Sequence, residues 1–139
     1  MSTDMSTHEE LIRSLLAAIA RNAPEDELAR FWHPDAEQVE YPSLMRPTGH
    51  TRALAEMFEG YRAGLQLIGR QHYDVHTVVD QGAQLAMQLT WTATTAIDAG
   101  PLPAGTELVA HVAVFYQFKE GRILRQSSYD CYEPISPAA

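Results

Sequence analysis

Two carboxylate residues near the ends of predicted strands are the candidates for acid and base chemistry. Glu40 ends a short predicted strand immediately before a Tyr-Pro pair, and the alternation along that strand can turn its side chain into the interior. Asp130 lies near the end of the last predicted strand, where Gln126 and Ser128 share its parity. A carboxyl group enclosed by apolar side chains has a raised pKa and can move a proton near neutral pH. Two such groups at one cavity would divide the acid and base roles, because like charges push their pKa values apart.

Each candidate also has a purely structural interpretation. Glu40 can be a strand residue that faces solvent, and Asp130 can hydrogen-bond backbone or arginine groups to hold the last strand. An aromatic lining with few polar groups is typical of a site for a small, largely apolar ligand, although the same side chains also suit a plain core. The residues expected to line such a pocket are Tyr41, Phe58, Tyr61, Tyr73, Met87, Trp91, Val114, Tyr116, Gln126 and Ser128.

The composition argues against several other classes of function. The net charge is −8 and the ten basic residues are scattered, which disfavours nucleic acid and anionic membranes as partners. The single Cys131 is expected to be a small buried residue. His72 and His76 are expected on the outer face of the sheet without a third ligand, so we expect neither a metal nor another cofactor. No apolar run is long enough to span a bilayer and the N-terminus lacks a signal-peptide pattern, so the expected location is the cytoplasm.

The order of the predicted elements indicates one α+β domain over residues 1–139. Thr7 and Glu10 form a predicted capping box, after which apolar residues recur at helical spacing. From residue 70 the apolar period changes from 3.6 to 2, which predicts long strands in an antiparallel sheet. Such a sheet must curl, so we expect a cone of strongly curved sheet wrapped around N-terminal helices. Residues 1–6 and 134–139 are predicted to be tails. The predicted helices cover residues 7–23, a short segment that begins at 24, and residues 51–67, and a turn (33–35) and a loop (43–49) are predicted between them. The predicted strands cover residues 37–41, 73–79, 85–92, 107–118 and 122–132.

Four short motifs occur in a characteristic order along the chain. They are Phe31-x-x-x-Asp35-Ala36, Pro47-x-Gly49, Lys119-Glu120-Gly121-Arg122-Ile123 and Arg125-Gln126-Ser127-Ser128-Tyr129-Asp130-Cys131-Tyr132-Glu133-Pro134. Together with the order of elements, they make the chain resemble the nuclear transport factor 2-like superfamily, and within it the SnoaL-like branch. The last motif is similar to the end of one bacterial group of that branch. The resemblance covers nearly the whole chain.

The resemblance implies a conical fold that often dimerises through the outer face of its sheet. It implies no single activity, because relatives include isomerases, dehydratases, cyclases, epoxide hydrolases and non-catalytic adaptors. In relatives similar to ketosteroid isomerase, a carboxylate at the end of the first strand is the general base. Counting forward from Ala36 assigns Glu40 to that position, whereas counting back from the following proline assigns Tyr41 to it. The isomerase oxyanion donors are replaced by about Leu15 and Val114, so steroid-type isomerisation by that arrangement is not expected.

Two hypotheses about function result. The first is an enzyme of the isomerase, cyclase, dehydratase or hydrolase type that acts on a small apolar compound by cofactor-free proton transfer through Glu40 and Asp130. The second is a non-catalytic ligand-binding or dimerisation module, which a pocket filled by its own side chains would favour. Under either hypothesis, His111 and Phe115 alternate onto the outer face of the sheet, which predicts a homodimer formed through that face.

Overall fold

Helices cover one face of a six-stranded mixed sheet in the computed structural model, which describes residues 7–135. The predicted α+β class is therefore confirmed. The predicted tail at residues 1–6 and most of the tail at 134–139 lie outside the described residues. The elements are α1 (His8–Ala20), α2 (Glu25–Leu28), a short 3-10 helix (Ala29–Phe31), β1 (Trp32–Glu40), β2 (His50–Ala53), α3 (Leu54–Leu67), β3 (Ile68–Asp80), β4 (Gln84–Thr95), β5 (Glu107–Lys119) and β6 (Arg122–Tyr132).

The sheet is open and strongly curved. Its strands are ordered β2-β1-β6-β5-β4-β3, so β2 and β3 are its two edges. In a flat sheet with strands about 4.8 Å apart, those edges would lie roughly 24 Å from each other, about twice the width of a helix. Arg52 of the edge strand β2 and Tyr73 of the edge strand β3 nevertheless line one and the same cavity. The sheet must therefore curl, which confirms the predicted curved sheet.

One strand pair runs in a direction that differs from the prediction. β1 lies beside β6 in parallel, whereas the other strand pairs are antiparallel as predicted. Alternation along a strand predicts which side chains share a face, but it carries no information on the direction of the neighbour. The parallel register places Glu40 opposite Ser128 and Gln38 opposite Gln126, so the two strands present one polar surface.

The first helix begins and ends with recognisable caps. At its start the Glu10 backbone N–H donates to Thr7 Oγ1 at 3.1 Å, which is one half of the predicted capping box. It ends at Ala20 rather than near residue 23, because Asn22 takes the left-handed conformation with φ of 58° and the Ala23 N–H donates back to Ala18 O at 3.0 Å. Its apolar face enters the core of the protein, where the fully buried side chains include Ile12, Leu15, Leu85, Val114 and Ile123.

Two predicted boundaries in the first half of the chain are wrong. The predicted turn at residues 33–35 belongs to β1, where a register shift before Glu37 accommodates the proline. Buried His33 holds this irregular stretch, since its Nδ1 accepts from the Asp35 N–H at 3.0 Å and its Nε2 lies 3.1 Å from Glu120 Oε1. Residues 50–53 form β2 rather than the first turn of α3. A four-residue edge strand is too short to show a reliable alternation.

Gly49 brings β2 back against β1. It adopts φ of 61°, a conformation that glycine takes without strain. A Cβ atom at this position would lie 2.5 Å from the backbone oxygen of Glu40, so a larger residue would push the two strands apart. The close return places His50 directly opposite Glu40 in the β1–β2 ladder.

Candidate functional site

A cavity of about 370 Å³ lies between the concave face of the sheet and the helices α1 and α3. Alternate residues of β6 from Gln126 to Tyr132 line it, as do alternate residues of β5 from Ala110 to Tyr116. Most of the remaining wall is aliphatic or aromatic. The volume falls within the range of sites for small organic molecules, so the curl of the sheet leaves room for a ligand.

Asp130 is partly buried in the wall of this cavity. Burial raises the pKa of its carboxyl group, the hydrogen bond from Ser128 opposes that rise, and the negative charge of Glu40 adds to it. Ser128 Oγ donates to Asp130 Oδ1 at 2.6 Å, which holds the carboxyl group in one orientation. The net result is a pKa above the usual value for aspartate, and a carboxyl group with a raised pKa is suited to proton transfer near neutral pH.

Glu40 lines the same cavity from the end of β1. Its side chain is 21% exposed, and its Oε1 atom lies 3.3 Å from His50 Nε2 and 4.0 Å from Arg52 Nη1. Both partners belong to β2, so the β1–β2 ladder sets the position of the carboxylate. The negative charge of Glu40 also raises the pKa of Asp130.

Three tyrosines line the cavity together with Asp130: Tyr73 from β3, Tyr116 from β5 and Tyr132 from β6. Burial raises the pKa of each phenol, to about 12 for Tyr132, and the charge of Asp130 adds to the rise in all three. The phenols therefore keep their protons at neutral pH and can donate hydrogen bonds. The Tyr73 hydroxyl donates to Gln71 Oε1 at 3.4 Å, whereas no protein partner of the Tyr116 or Tyr132 hydroxyl is found within residues 7–135.

Most of the predicted lining residues lie on the cavity wall, and their roles stay predictions. Tyr41 and Met87 do not line it. Tyr41 follows Glu40 in the chain and points to the opposite face, where its ring stacks on Tyr129 with 4.4 Å between centroids. Met87 is buried in the hydrophobic core outside the cavity, and Cys131 is exposed rather than buried. The predicted residues on the wall are Glu40, Phe58, Tyr61, Tyr73, Trp91, Val114, Tyr116, Gln126, Ser128 and Asp130.

Four polar residues of the wall escaped the sequence analysis: Gln38, Arg52, Gln71 and Tyr132. Gln38 and Tyr132 share the strand parity of Glu40 and Asp130, so alternation alone could have identified both. No comparable signal points to Arg52, because its short strand follows a loop and the sequence predicts a helix there. The position of Arg52 depends on the pairing of β2 with β1.

Within residues 7–135, no group of three or more His, Cys, Asp or Glu side chains is arranged to hold a metal ion. Over the same residues, none of the helices combines the length and the apolar character that crossing a membrane requires.

A curved mixed sheet around helices, with a cavity on its concave face, is a fold that this chain shares with solved structures described as NTF2-like or ketosteroid isomerase-like. The family model of the SnoaL-like domain matches residues 12–126, which is most of the chain. The chain therefore belongs to the SnoaL-like domain family, as the motifs in the sequence predict. No functionally curated protein matches it significantly.

Several solved structures share the fold. IdmH from Streptomyces antibioticus, a proposed polyketide cyclase, superposes with a TM-score of 0.72 at 18% identity over 88% of this chain and 90% of that chain. A SnoaL-like polyketide cyclase from Agrobacterium tumefaciens gives 0.66 at 21% identity over 93% of each chain. A protein with a ketosteroid isomerase-like fold from Catenulispora acidiphila, solved with trimethylamine, gives 0.65 at 16% identity over 86% of this chain and 84% of that chain. Likeness at these identities establishes the fold alone.

Proposed function

We propose that this chain is an enzyme of the cyclase or isomerase type that transfers a proton on a small, largely apolar carbonyl compound without a cofactor. One observation carries the proposal: the Asp130 carboxyl group is partly buried in the wall of a largely apolar cavity, and this burial raises its pKa. An acid or base in such a setting is the main requirement of cofactor-free proton transfer. The polyketide cyclases among the proteins of the same fold add support.

In the proposed reaction, ionised Asp130 removes a proton from the carbon next to a carbonyl group. The electron pair of the broken C–H bond moves to the carbonyl oxygen, and the hydroxyl of Tyr116 or Tyr132 donates a hydrogen bond to the resulting enolate. In an isomerisation, Asp130 returns the proton to another carbon. In a cyclisation, the enolate carbon attacks a second carbonyl carbon and the new alkoxide takes the proton. Either route restores the ionised Asp130.

The contacts of the two carboxylates support different roles for them. Asp130 has its pKa raised, and its charge raises the pKa of three phenols on the same cavity wall, so the acid and base role is assigned to it. Glu40 lies beside His50 and Arg52, and its role is to raise the pKa of Asp130 through its charge. The sequence analysis gave both residues a direct part in proton transfer.

The positions that hold oxyanion donors in ketosteroid isomerase are aliphatic here, and Leu15 and Val114 both lie on the wall. The enolate oxygen is therefore proposed to bind elsewhere, near the phenols of Tyr116 and Tyr132. The non-catalytic hypothesis would gain support from a cavity filled by core side chains. The cavity keeps about 370 Å³ of space, and Met87, which was expected on its wall, lies outside it.

The proposal predicts that the protein accelerates exchange of hydrogen for deuterium next to a carbonyl group. Incubation with 1-indanone, 2-tetralone or acetophenone in D₂O, followed by proton NMR, is expected to show exchange about 10²-fold or more above buffer for at least one ketone, because a positioned base contributes that much. Exchange at the buffer rate for all three ketones, together with thermal stabilisation by any of them, would instead identify a binding module.

We also propose that two copies of the chain associate through the outer face of the sheet. Phe115 and Tyr129 are 48% and 45% exposed there, with their rings in an edge-to-face contact at 6.1 Å, and Tyr41 stacks on Tyr129. Exposed aromatic clusters of this kind are typical of protein interfaces. His111 lies on the same face, and its Nε2 atom is 2.7 Å from Glu133 Oε2.

The homodimer predicts a mass of twice 15.5 kDa in sedimentation velocity. Phe115→Glu is expected to give the monomer mass, because a charge in the aromatic cluster would be desolvated on association. Ile97→Glu serves as the control, since Ile97 is equally exposed, at 48%, but lies in the loop that follows β4. A wild-type protein that sediments as a monomer at high micromolar concentration would contradict the proposal.

A further inference from the structure

Arg52 is the one cationic side chain on the cavity wall within residues 7–135. It lies in β2 opposite Gln38, and its side chain is only 16% exposed. An arginine in a largely apolar cavity must find partners for its guanidinium N–H groups, because an unpaired buried charge is costly. The contacts of Arg52 with the protein therefore indicate which of its N–H groups a ligand in the cavity could pair with.

The guanidinium group lies against α3 at a place where the helix has no side chain. A Cβ atom at Gly60 would overlap Arg52 Nη1 and would lie 3.1 Å from Cζ. Gly60 is unfavourable in the middle of a helix relative to alanine, yet here its missing side chain makes the space that the guanidinium occupies. The glycine therefore leaves space for the guanidinium group in the wall of the cavity.

The protein neutralises this guanidinium only in part. Within residues 7–135 its ion-pair partner is Glu40, and Oε1 of Glu40 is 4.0 Å from Nη1, which is beyond hydrogen-bond distance. The same Glu40 oxygen lies closer to His50, at 3.3 Å from Nε2. Glu40 therefore leaves N–H groups of the guanidinium for a ligand, and two adjacent N–H groups of arginine match the two oxygens of a carboxylate.

We propose that Arg52 binds a carboxylate of the ligand, so that the cavity prefers small apolar carbonyl compounds that carry a carboxylate over neutral ketones and esters. The apolar walls would hold the body of such a compound while its charged end pairs with Arg52. The inference deepens the proposed function by naming the substrate class of the same cavity. Its test measures equilibrium binding, so it can fail while hydrogen exchange succeeds, and the reverse also holds.

The test compares carboxylic acids with their methyl esters, using 2-naphthoate and 4-phenylbutanoate as probes in fluorescence or calorimetric titrations. The wild-type protein is expected to bind the acid of each pair about 10- to 100-fold more tightly than the ester, as is typical of a charge-assisted pair. Arg52→Met is expected to remove this preference while leaving the ester dissociation constant within about twofold, since the apolar contacts are unchanged. Arg52→Lys is expected to keep part of it, because an ammonium group retains the charge without the two-pronged geometry.

Two further variants keep the test informative if Arg52→Met folds poorly. Gly60→Ala retains the arginine but places a methyl group in the space that the guanidinium occupies, so it should reduce the preference for the acid. Helix α3 should remain at least as helical by circular dichroism. Glu40→Gln removes a neighbouring negative charge and should make the acid bind more tightly. A wild-type protein with no acid preference in either pair would overturn the inference, and so would an Arg52→Met protein that keeps the wild-type preference.

Discussion

Asp130→Asn is expected to lower the rate of catalysed hydrogen exchange by about 10²- to 10⁴-fold, the contribution of a well-placed general base. The amide has nearly the same shape as the carboxyl group and can still accept the hydrogen bond that Ser128 donates at 2.6 Å. The fold and the cavity should therefore be preserved, and only the proton acceptor is lost. NMR exchange assays of wild type and variant under identical conditions measure the effect. Equal rates would refute the assignment of Asp130 as the base.

The same substitution is expected to stabilise the protein at neutral pH. Because the pKa of Asp130 is raised in the folded state, the folded protein binds this proton more tightly than the unfolded chain does. The free energy of unfolding of the wild type therefore falls as pH rises from the usual aspartate pKa to the raised value, and stays lower above it. Asp130→Asn removes that fall, so its melting temperature should match the wild type in acid and exceed it at neutral pH. A variant that loses stability at every pH would point to a structural role.

Glu40→Gln is the matched control for this assignment. It removes the charge that raises the pKa of Asp130 but keeps a side chain of the same length. Exchange requires ionised Asp130, so the rate should rise with pH through the pKa of that group. In Glu40→Gln that pKa is lower, and the rising limb of the profile should move to lower pH while the plateau rate is largely retained. Loss of the plateau itself would give Glu40 a direct part in proton transfer.

Tyr116→Phe is expected to lower the exchange rate by about 10²- to 10³-fold, the effect of removing one donor to a developing oxyanion. Burial raises the pKa of this phenol, so it stays protonated and can donate at neutral pH. The ring itself is buried and is retained in the variant, so packing should change little. The measurement is the exchange rate at saturating ketone, because the hydrogen bond strengthens only as the enolate forms.

Tyr61→Phe provides the comparison for the loss of a hydroxyl group. The Tyr61 hydroxyl donates to the backbone oxygen of Ala23 at 2.6 Å and is therefore already engaged. Its removal is expected to cost about 1 kcal/mol in the free energy of unfolding and to leave the exchange rate unchanged. If Tyr116→Phe behaved in the same way, the enolate oxygen would have to be stabilised by another group, for which Tyr132 is the next candidate.

Much of the cavity could be predicted because strand alternation places residues on faces. The parity of β6 places Gln126, Ser128 and Asp130 on one side of the sheet, and all three line the cavity. Alternation did not resolve Glu40 from Tyr41, because two ways of counting gave opposite answers. The register of β1 against β6 resolves the choice, since Glu40 pairs with Ser128 and faces the cavity with it. Met87 was assigned to the wall because parity gives the face of the sheet but not the depth of the cavity.

Local patterns in the sequence are enough to predict the α+β class, the order of long strands and the face that Asp130 shares with Gln126 and Ser128, because periods of 3.6 and 2 are local properties of a chain. The groups that surround the Asp130 carboxyl group depend on the tertiary structure. Three contacts join segments that no local pattern relates. They are the parallel pairing of β1 with β6, the return of β2 against β1 at Gly49 and the packing of Arg52 against Gly60. The pKa of Asp130 depends on burial and on the charge of Glu40, ninety positions away in the chain but on the neighbouring strand. The chemistry of the cavity is therefore a property of long-range pairing.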